Sequence, residues 1–198
     1  VLPKQPRARK KRGPKHDIVI LLVDALRPGR LSLSGYKRKT SPQIDAFAKE
    51  STWFKNAYTT APSTRFAMAS LFTGRDVRRL RYRNTGGNNF DLLPGAPTIA
   101  RRLTEAGYKT VGYTVTYVMQ HNRGTGQGFS QWTMPWALSD WKQIGVQKAA
   151  LTTRAVLGEL EKTPPGQRLF LFAHYFCTHA PYRKDPAHDF GNRESDRY

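Results

Sequence analysis

One cysteine, Cys177, stands in 198 residues. A lone cysteine excludes an internal disulfide framework and leaves the redox compartment open. Acidic residues are scarce: 14 Asp and Glu against 33 Lys and Arg, a formal net charge of +19. Long apolar runs are missing too. The longest, Ile18 to Val23, is six residues, whereas a membrane-spanning helix needs about twenty. No signal-peptide pattern is visible, and no internal repeat points to a solenoid. What is present is the composition of a globular domain, with 38% hydrophobic and 12% aromatic residues. The length suffices for one domain with a real core.

The positive charge is uneven. Lys4, Arg7, Arg9, Lys10, Lys11, Arg12 and Lys15 precede His16, and Ala8 is the only aliphatic side chain between Leu2 and Ile18. Residues 1–16 therefore read as a solvated basic tail or juxtamembrane linker, and 17–198 as the folded part. Such a tail attracts an anionic membrane surface or nucleic acid. Nucleic acid is disfavoured, because nothing around the tail looks like a base-reading module. The chain begins at Val1 rather than Met. The expectation is an upstream anchor, with the domain in the periplasm or outside the cell.

The remainder alternates strand and helix signals. Residues 18–23 are β-branched or Leu without a polar break, which predicts a strand buried on both faces of a parallel sheet. Ser41-Pro42 predicts a helix start, with Ile44, Phe47 and Ala48 on one face. Residues 53–58 read as a short strand. Residues 64–73 read as a helix that packs through Phe66, Ala67, Ala69, Ser70 and Leu71. The polar stretch 78–95 reads as a loop. A helix over 97–106 with Gly107 as its stop precedes a strand over 109–115. A further helix runs from about Trp141 or Ile144 to Glu161, ended by Pro164-Pro165-Gly166, and residues 168–176 form another buried strand. The pattern predicts an α/β fold, a mostly parallel sheet flanked by helices. In such sheets ligands gather beyond the carboxyl ends of the strands.

Asp24 ends the first strand. There it could hold a hard divalent cation, or cap the turn before Arg27-Pro28. Ser63 and Thr64 open a helix. Either could be a plain N-cap. Alternatively, a hydroxyl at a helix N-terminus sits among free N–H groups that favour an anion. Bound to a metal, it becomes a usable nucleophile. His174 and His179 fall at and beyond the end of the last strand. Arg123-Gly-Thr-Gly-Gln-Gly128 lacks the Gly-Lys-Ser/Thr ending of a nucleotide loop.

These motifs, in this order, resemble the sulfatase branch of the alkaline phosphatase superfamily. The resemblance rests on Asp24-Ala-Leu-Arg27, Gly35-Tyr36, Thr40-Ser-Pro42-Gln-Ile-Asp45, Asn56-Ala-Tyr58 and Thr64 ten residues before Gly74. It continues through Leu103-Thr-Glu-Ala-Gly-Tyr108-Lys-Thr and Thr178-His179-Ala-Pro181-Tyr182, and so covers about residues 16 to 182. It implies an alkaline phosphatase/sulfatase-like fold and a phosphate or sulfate ester substrate. It also implies a divalent metal ion (Zn, Mn, Ca or Mg) on Asp24 and Thr64. Thr64 would be the nucleophile, and His179 would lie near the leaving oxygen. His174 reads as a structural or supporting residue, and Cys177 as a small apolar one.

The departures shape the expectation. Sulfatases proper carry Cys or Ser at the nucleophile, which is oxidised to formylglycine. Thr64 cannot follow that route, so phosphate esters are favoured over sulfate. Ala25 replaces the second Asp of the family's pair. Met68 occupies the position of an Arg, for which Arg65 is the candidate substitute. Val115 and Tyr117 occupy the family's Lys and His, with His121 and Arg123 as nearby polar residues better suited to a loop. The family's other metal ligands lie past the His-x-Pro-Tyr turn. The chain is thus expected to be the N-terminal portion of a catalytic domain, holding metal weakly or not at all by itself. The competing readings are a catalytically inactive sulfatase-like fragment or scaffold, and a basic nucleic-acid-binding protein.

Overall fold

The computed structural model describes residues 16–87, 90–120, 123–134 and 146–180. Most of the basic tail, His121, Trp136, Trp141 and the polar C-terminal residues 181–198 lie outside them. So does any part of the fourth long helix before Val146.

A four-stranded parallel sheet forms the centre, with strand order β1-β6-β4-β5. The strands are β1 (Ile18–Val23), β4 (Lys109–Tyr113), β5 (Gln131–Thr133) and β6 (Leu169–Tyr175). Helices α2 (Thr64–Thr73) and α3 (Ile99–Glu105) lie against one face, and α4 (Val146–Lys162) against the other. On the α2 side the core is Met68, Phe72, Ala100, Met119, Phe129, Phe170 and Phe172. Phe72 is edge-on to Phe129, Trp132 and Phe172, with ring centroids 4.9 to 6.0 Å apart, the favoured arrangement for packed aromatics. On the α4 side Val111, Tyr113, Val156, Leu169, Leu171 and Ala173 pack together.

The central strand β6 is buried from Leu169 to His174, as its unbroken apolar run requires. β1 departs from expectation. Ile18, Ile20 and Leu22 pack against the core, but Val19 is 44% and Leu21 59% exposed. Among the described residues β1 is an edge strand of the sheet, and α4 packs on β6 and β4. Among the described residues nothing covers the outer half of β1.

The expected strand over 53–58 is not formed, and residues 51–60 are all exposed. A strand needs a ladder partner, and no described segment offers one. Helix α1 (Pro42–Ala48) forms as expected, yet Ile44 and Phe47 on its apolar face are exposed as well. The region 78–95 is more ordered than a loop. β2 (Tyr82–Asn84) and β3 (Phe90–Leu92) pair antiparallel, and Tyr82 and Phe90 close on Phe66 of α2.

The packing face of α2 also differs. Arg65, Met68, Ala69 and Phe72 are buried, with Ser70 beside them, while Leu71 is exposed. The buried positions i, i+3, i+4 and i+7 make one stripe of a helix. Met68 is therefore a core side chain.

Under α4, the Tyr113 hydroxyl donates to Glu159 Oε2 (3.3 Å), and Lys109 pairs with Glu159 Oε1. Burial, the Glu159 charge and this hydrogen bond push the phenol from 10.0 up to about 12. The folded protein thus keeps a proton that the unfolded chain loses near pH 10. This contribution to stability is complete below about pH 10 and lost as pH rises toward about 12. Chemical-denaturant unfolding across that window is expected to show falling stability in the parent and a flatter profile in Tyr113→Phe. Identical profiles would refute the assignment.

Candidate active site

The parallel pairing of β1 and β6 sets the site. Val23 lies opposite Tyr175, so Asp24 emerges beside the carboxyl end of β6. Its backbone is held on both sides: Asp24 N–H donates to Tyr175 O (2.8 Å), and Thr178 Oγ1 donates to Asp24 O (2.5 Å). The next residue, Ala25, has φ +57, the only positive φ at a described non-glycine residue. That conformation costs on the order of 1 kcal/mol for an L-residue. It is maintained at the turn where the chain leaves the sheet next to Asp24.

Helix α2 brings its first residue to the same place. Thr64 Oγ1 donates to Asp24 Oδ2 at 2.9 Å, across forty positions of sequence. Ser63 is the N-cap residue, but its side chain makes no capping bond. The Thr64 hydroxyl is likewise turned to Asp24 rather than to its own helix. The first-turn N–H groups are thus left without a side-chain cap, the condition under which a helix N-terminus attracts an anion.

His174 completes the group. It is fully buried, and its Nε2–H donates to the same Asp24 Oδ2 at 3.1 Å. An ionised carboxylate only accepts, so Nε2 carries the proton in this bond, and Nδ1 has no hydrogen-bond partner among the described residues. Burial pushes the Asp24 carboxyl up, but the hydrogen bonds from His174 and Thr64 outweigh it. Together with the His174 and His179 charges they hold it below its usual 3.8. Asp24 is therefore a carboxylate at neutral pH. Its second oxygen, Oδ1, takes no hydrogen bond among the described residues.

His179 follows β6 in the turn that Thr178 pins. Its backbone N–H donates to Phe176 O (3.2 Å), and its ring stacks on Phe176 at 4.0 Å. Nδ1–H donates to Ala180 O (2.6 Å), which leaves Nε2 for another partner. Arg65 is 6% exposed and lies on the buried stripe of α2. Arg123 bonds Asp91 and Thr85, both at 3.2 Å, which is a loop-fastening role. Tyr117 is exposed and Val115 buried. Cys177 is partly buried, and burial pushes its thiol up, away from thiolate character.

The structure therefore brings Asp24, Thr64 and His174 into direct contact and sets His179 within their electrostatic reach. The sequence motifs include Thr178 without a role for it and give His174 only a supporting place. The strand adjacency that unites them has no local signal, since β1 and β6 are separated by most of the chain.

A cation at this site would find oxygen donors in Asp24 Oδ1 and Thr64 Oγ1, the chemistry a hard or borderline divalent ion accepts. Among the described residues no cluster of three His, Cys, Asp or Glu accompanies them. The fit is to one side of a metal site.

A parallel sheet with a carboxylate at one strand end and a hydroxyl at a facing helix N-terminus places the candidate site of an α/β protein beyond the carboxyl ends of its strands. The profile of the family described as Sulfatase matches residues 16–197, nearly the whole chain, and the chain belongs to that family. An arylsulfatase of Clostridium perfringens is 33% identical over 99 residues, covering 48% of this chain and 20% of the relative. A phosphoethanolamine transferase, EptC of Escherichia coli, is 26% identical over 171 residues, covering 84% of this chain and 28% of the relative. The solved C-terminal periplasmic domain of the Escherichia coli EptC protein, in complex with Zn, shares the fold. Its TM-score is 0.66 at 21% identity, covering 93% of this chain and 51% of that one. The chain thus spans well under a third of these two curated relatives and about half of that domain.

Proposed function

We propose that the protein is a metal-dependent hydrolase or transferase of phosphate esters, with Thr64 as nucleophile. The observation that carries the reading is the Thr64 Oγ1 to Asp24 Oδ2 bond, which aims the hydroxyl across the site instead of at its helix. Membership of a family that includes sulfatases and phosphoethanolamine transferases supports ester transfer chemistry. A threonine in place of Cys or Ser favours phosphate over sulfate.

Asp24 and Thr64 would hold a divalent cation. That ion would lower the pKa of the Thr64 hydroxyl and neutralise ester oxygens. Such help is needed, because a carboxylate held below its usual range is a poor base for an alcohol. Thr64 Oγ, having released its hydroxyl proton to water, attacks phosphorus in line with the leaving alcohol. The Oγ–P bond forms as the P–O bond to that alcohol breaks. His179, protonated on both ring nitrogens with Nδ1–H kept on Ala180 O, gives the departing oxygen a proton through Nε2. Arg65 supplies positive charge one residue from the nucleophile, and the uncapped N–H groups of α2 face the phosphoryl oxygens. Water or an acceptor alcohol then attacks phosphorus and releases Thr64, with the imidazole taking the incoming proton.

Residues 1–16 form a basic linker in this reading, with residues 4–15 against an anionic membrane surface. Residues 17–198 are the N-terminal portion of a catalytic domain outside the cytoplasm. No helix among the described residues is long and apolar enough to cross a membrane.

The test is covalent trapping. After brief mixing with an activated aryl phosphate ester and acid quench, mass spectrometry should find a phosphoryl group on the peptide carrying Thr64. Turnover with that peptide unmodified would reject the mechanism. A second reading, a non-catalytic family member, is favoured by Ala25 and by Met68 in the core, and it predicts neither turnover nor label.

A further inference from the structure

The chain leaves β1 through a turn at Asp24 and Ala25. Ala25 has φ +57 there, a value that a turn ordinarily reserves for glycine or asparagine. An L-residue reaches it only at a cost. A relaxed alternative is one rotation away. Turning over the single peptide between Asp24 and Ala25 alters ψ of Asp24 and φ of Ala25. It carries Ala25 to a negative φ, which alanine accepts freely. Local preference therefore favours the turned-over form, and a contact from outside the turn must select the other.

Thr178 makes that contact. Its hydroxyl donates to the Asp24 carbonyl, the oxygen that the rotation would swing away. The donor comes from the far end of the chain, in the turn after β6, so it is independent of the local preference it opposes. The other side of Asp24 is anchored to β6, with its N–H donating to Tyr175 O (2.8 Å). With both flanking peptides held, the backbone of Asp24 is fixed, and the side-chain rotamers open to it are fixed with it. That frame puts Oδ2 2.9 Å from Thr64 Oγ1 and 3.1 Å from His174 Nε2.

Thr178 also adjoins His179, whose N–H donates to Phe176 O (3.2 Å) and whose ring stacks on Phe176 (4.0 Å). One side chain thus ties the exit of β1, which carries the carboxylate, to the turn that carries the imidazole.

We infer that Thr178 is a positioning residue. By holding the Asp24 carbonyl it keeps Ala25 left-handed and aims the Asp24 carboxylate at Thr64. The consequences for metal binding and turnover rest on the proposed function; the consequence for the turn does not.

The experiment compares the parent with four variants. Thr178→Val keeps the shape and removes the hydroxyl, and Thr178→Ser keeps the hydroxyl. Ala25→Gly is made alone and combined with Thr178→Val. Crystal structures read the turn. Thr178→Val should show the Asp24–Ala25 peptide turned over, Ala25 at negative φ and the Asp24–Thr64 hydrogen bond broken. Thr178→Ser should keep the parent's turn. Calorimetric titration with zinc reads the consequence. Affinity should fall by about tenfold in Thr178→Val, the low end for losing support behind a metal ligand, and stay within about threefold of the parent in Thr178→Ser. The kcat for an aryl phosphate ester should fall in the same order. Glycine at position 25 takes the left-handed form without strain. In the Ala25→Gly background Thr178→Val should therefore cost less zinc affinity than in the parent, whereas a side chain that merely packs would cost the same in both. A Thr178→Val protein that keeps the parent's turn would overturn the inference, whatever its activity. So would equal losses in the two backgrounds, or a turned-over peptide that leaves the Asp24–Thr64 bond in place. A parent that neither binds zinc nor turns over ester would remove the proposed function, and the crystal structures would still decide the role of Thr178.

Discussion

Replacing Thr64 with alanine is expected to lower turnover of a phosphate ester by about a thousandfold or more, the usual consequence of deleting a nucleophile. The fold should survive. Thr64 is the first residue of α2, and its side chain bonds Asp24. Losing one such hydrogen bond costs about 1 kcal/mol, or somewhat more when the acceptor is charged. The helix itself is held by Met68, Ala69 and Phe72, which the substitution does not touch. Thr64→Ser keeps the oxygen and removes only a methyl, so it should recover most of the activity. The measurement is kcat for the three proteins alongside thermal unfolding. An alanine variant within about tenfold of the parent would remove Thr64 from the reaction, because no other group could then be replacing a lost nucleophile so well.

His174→Ala is expected to weaken divalent-metal affinity by about 10- to 100-fold and to lower kcat comparably, the range seen when a hydrogen-bond partner of a metal ligand is removed. The imidazole is fully buried and orients Asp24 through Oδ2, leaving Oδ1 for a cation. Deleting it opens a cavity and strips a partly buried carboxylate of one partner. The expected loss of stability is about 2–3 kcal/mol. His174→Gln retains a donor of similar reach, so metal affinity should return before stability does. That order separates orientation of Asp24 from simple packing. Calorimetric titration with zinc and with manganese reads the first effect, and denaturant unfolding the second. Unchanged metal affinity in a folded His174→Ala protein would reduce the residue to a core side chain.

Much of the fold was legible because its signals are local. The apolar run 168–176 yields the central strand, and Gly107 marks the end of the segment that forms α3. Pro42 starts α1. The failures are places where a neighbour decides the state. Residues 53–58 have the composition of a strand but no ladder partner among the described residues. Leu71 is apolar enough for the core, yet the stripe through Arg65, Met68 and Phe72 turns it outward. The hairpin of β2 and β3 was hidden in a polar stretch because its stabilising contact, Phe66 with Tyr82 and Phe90, is contributed by α2.

By itself the sequence determined the alternation of strand and helix, the carboxylate at the end of β1, the hydroxyl at the start of α2 and the family to which those motifs are similar. These are properties of short segments, set by periodicity, capping residues and chain-breaking residues. Only the tertiary structure decided that β6 lies beside β1. That adjacency turns Asp24, Thr64 and His174 into one hydrogen-bonded group, and β1 and β6 are some 150 residues apart in the chain. It also decided that the hairpin of β2 and β3 closes on Phe66 of α2. The physical reason is the same in both cases. Hydrogen bonds and packing contacts act over a few ångströms of space, and separation along the chain does not encode that distance.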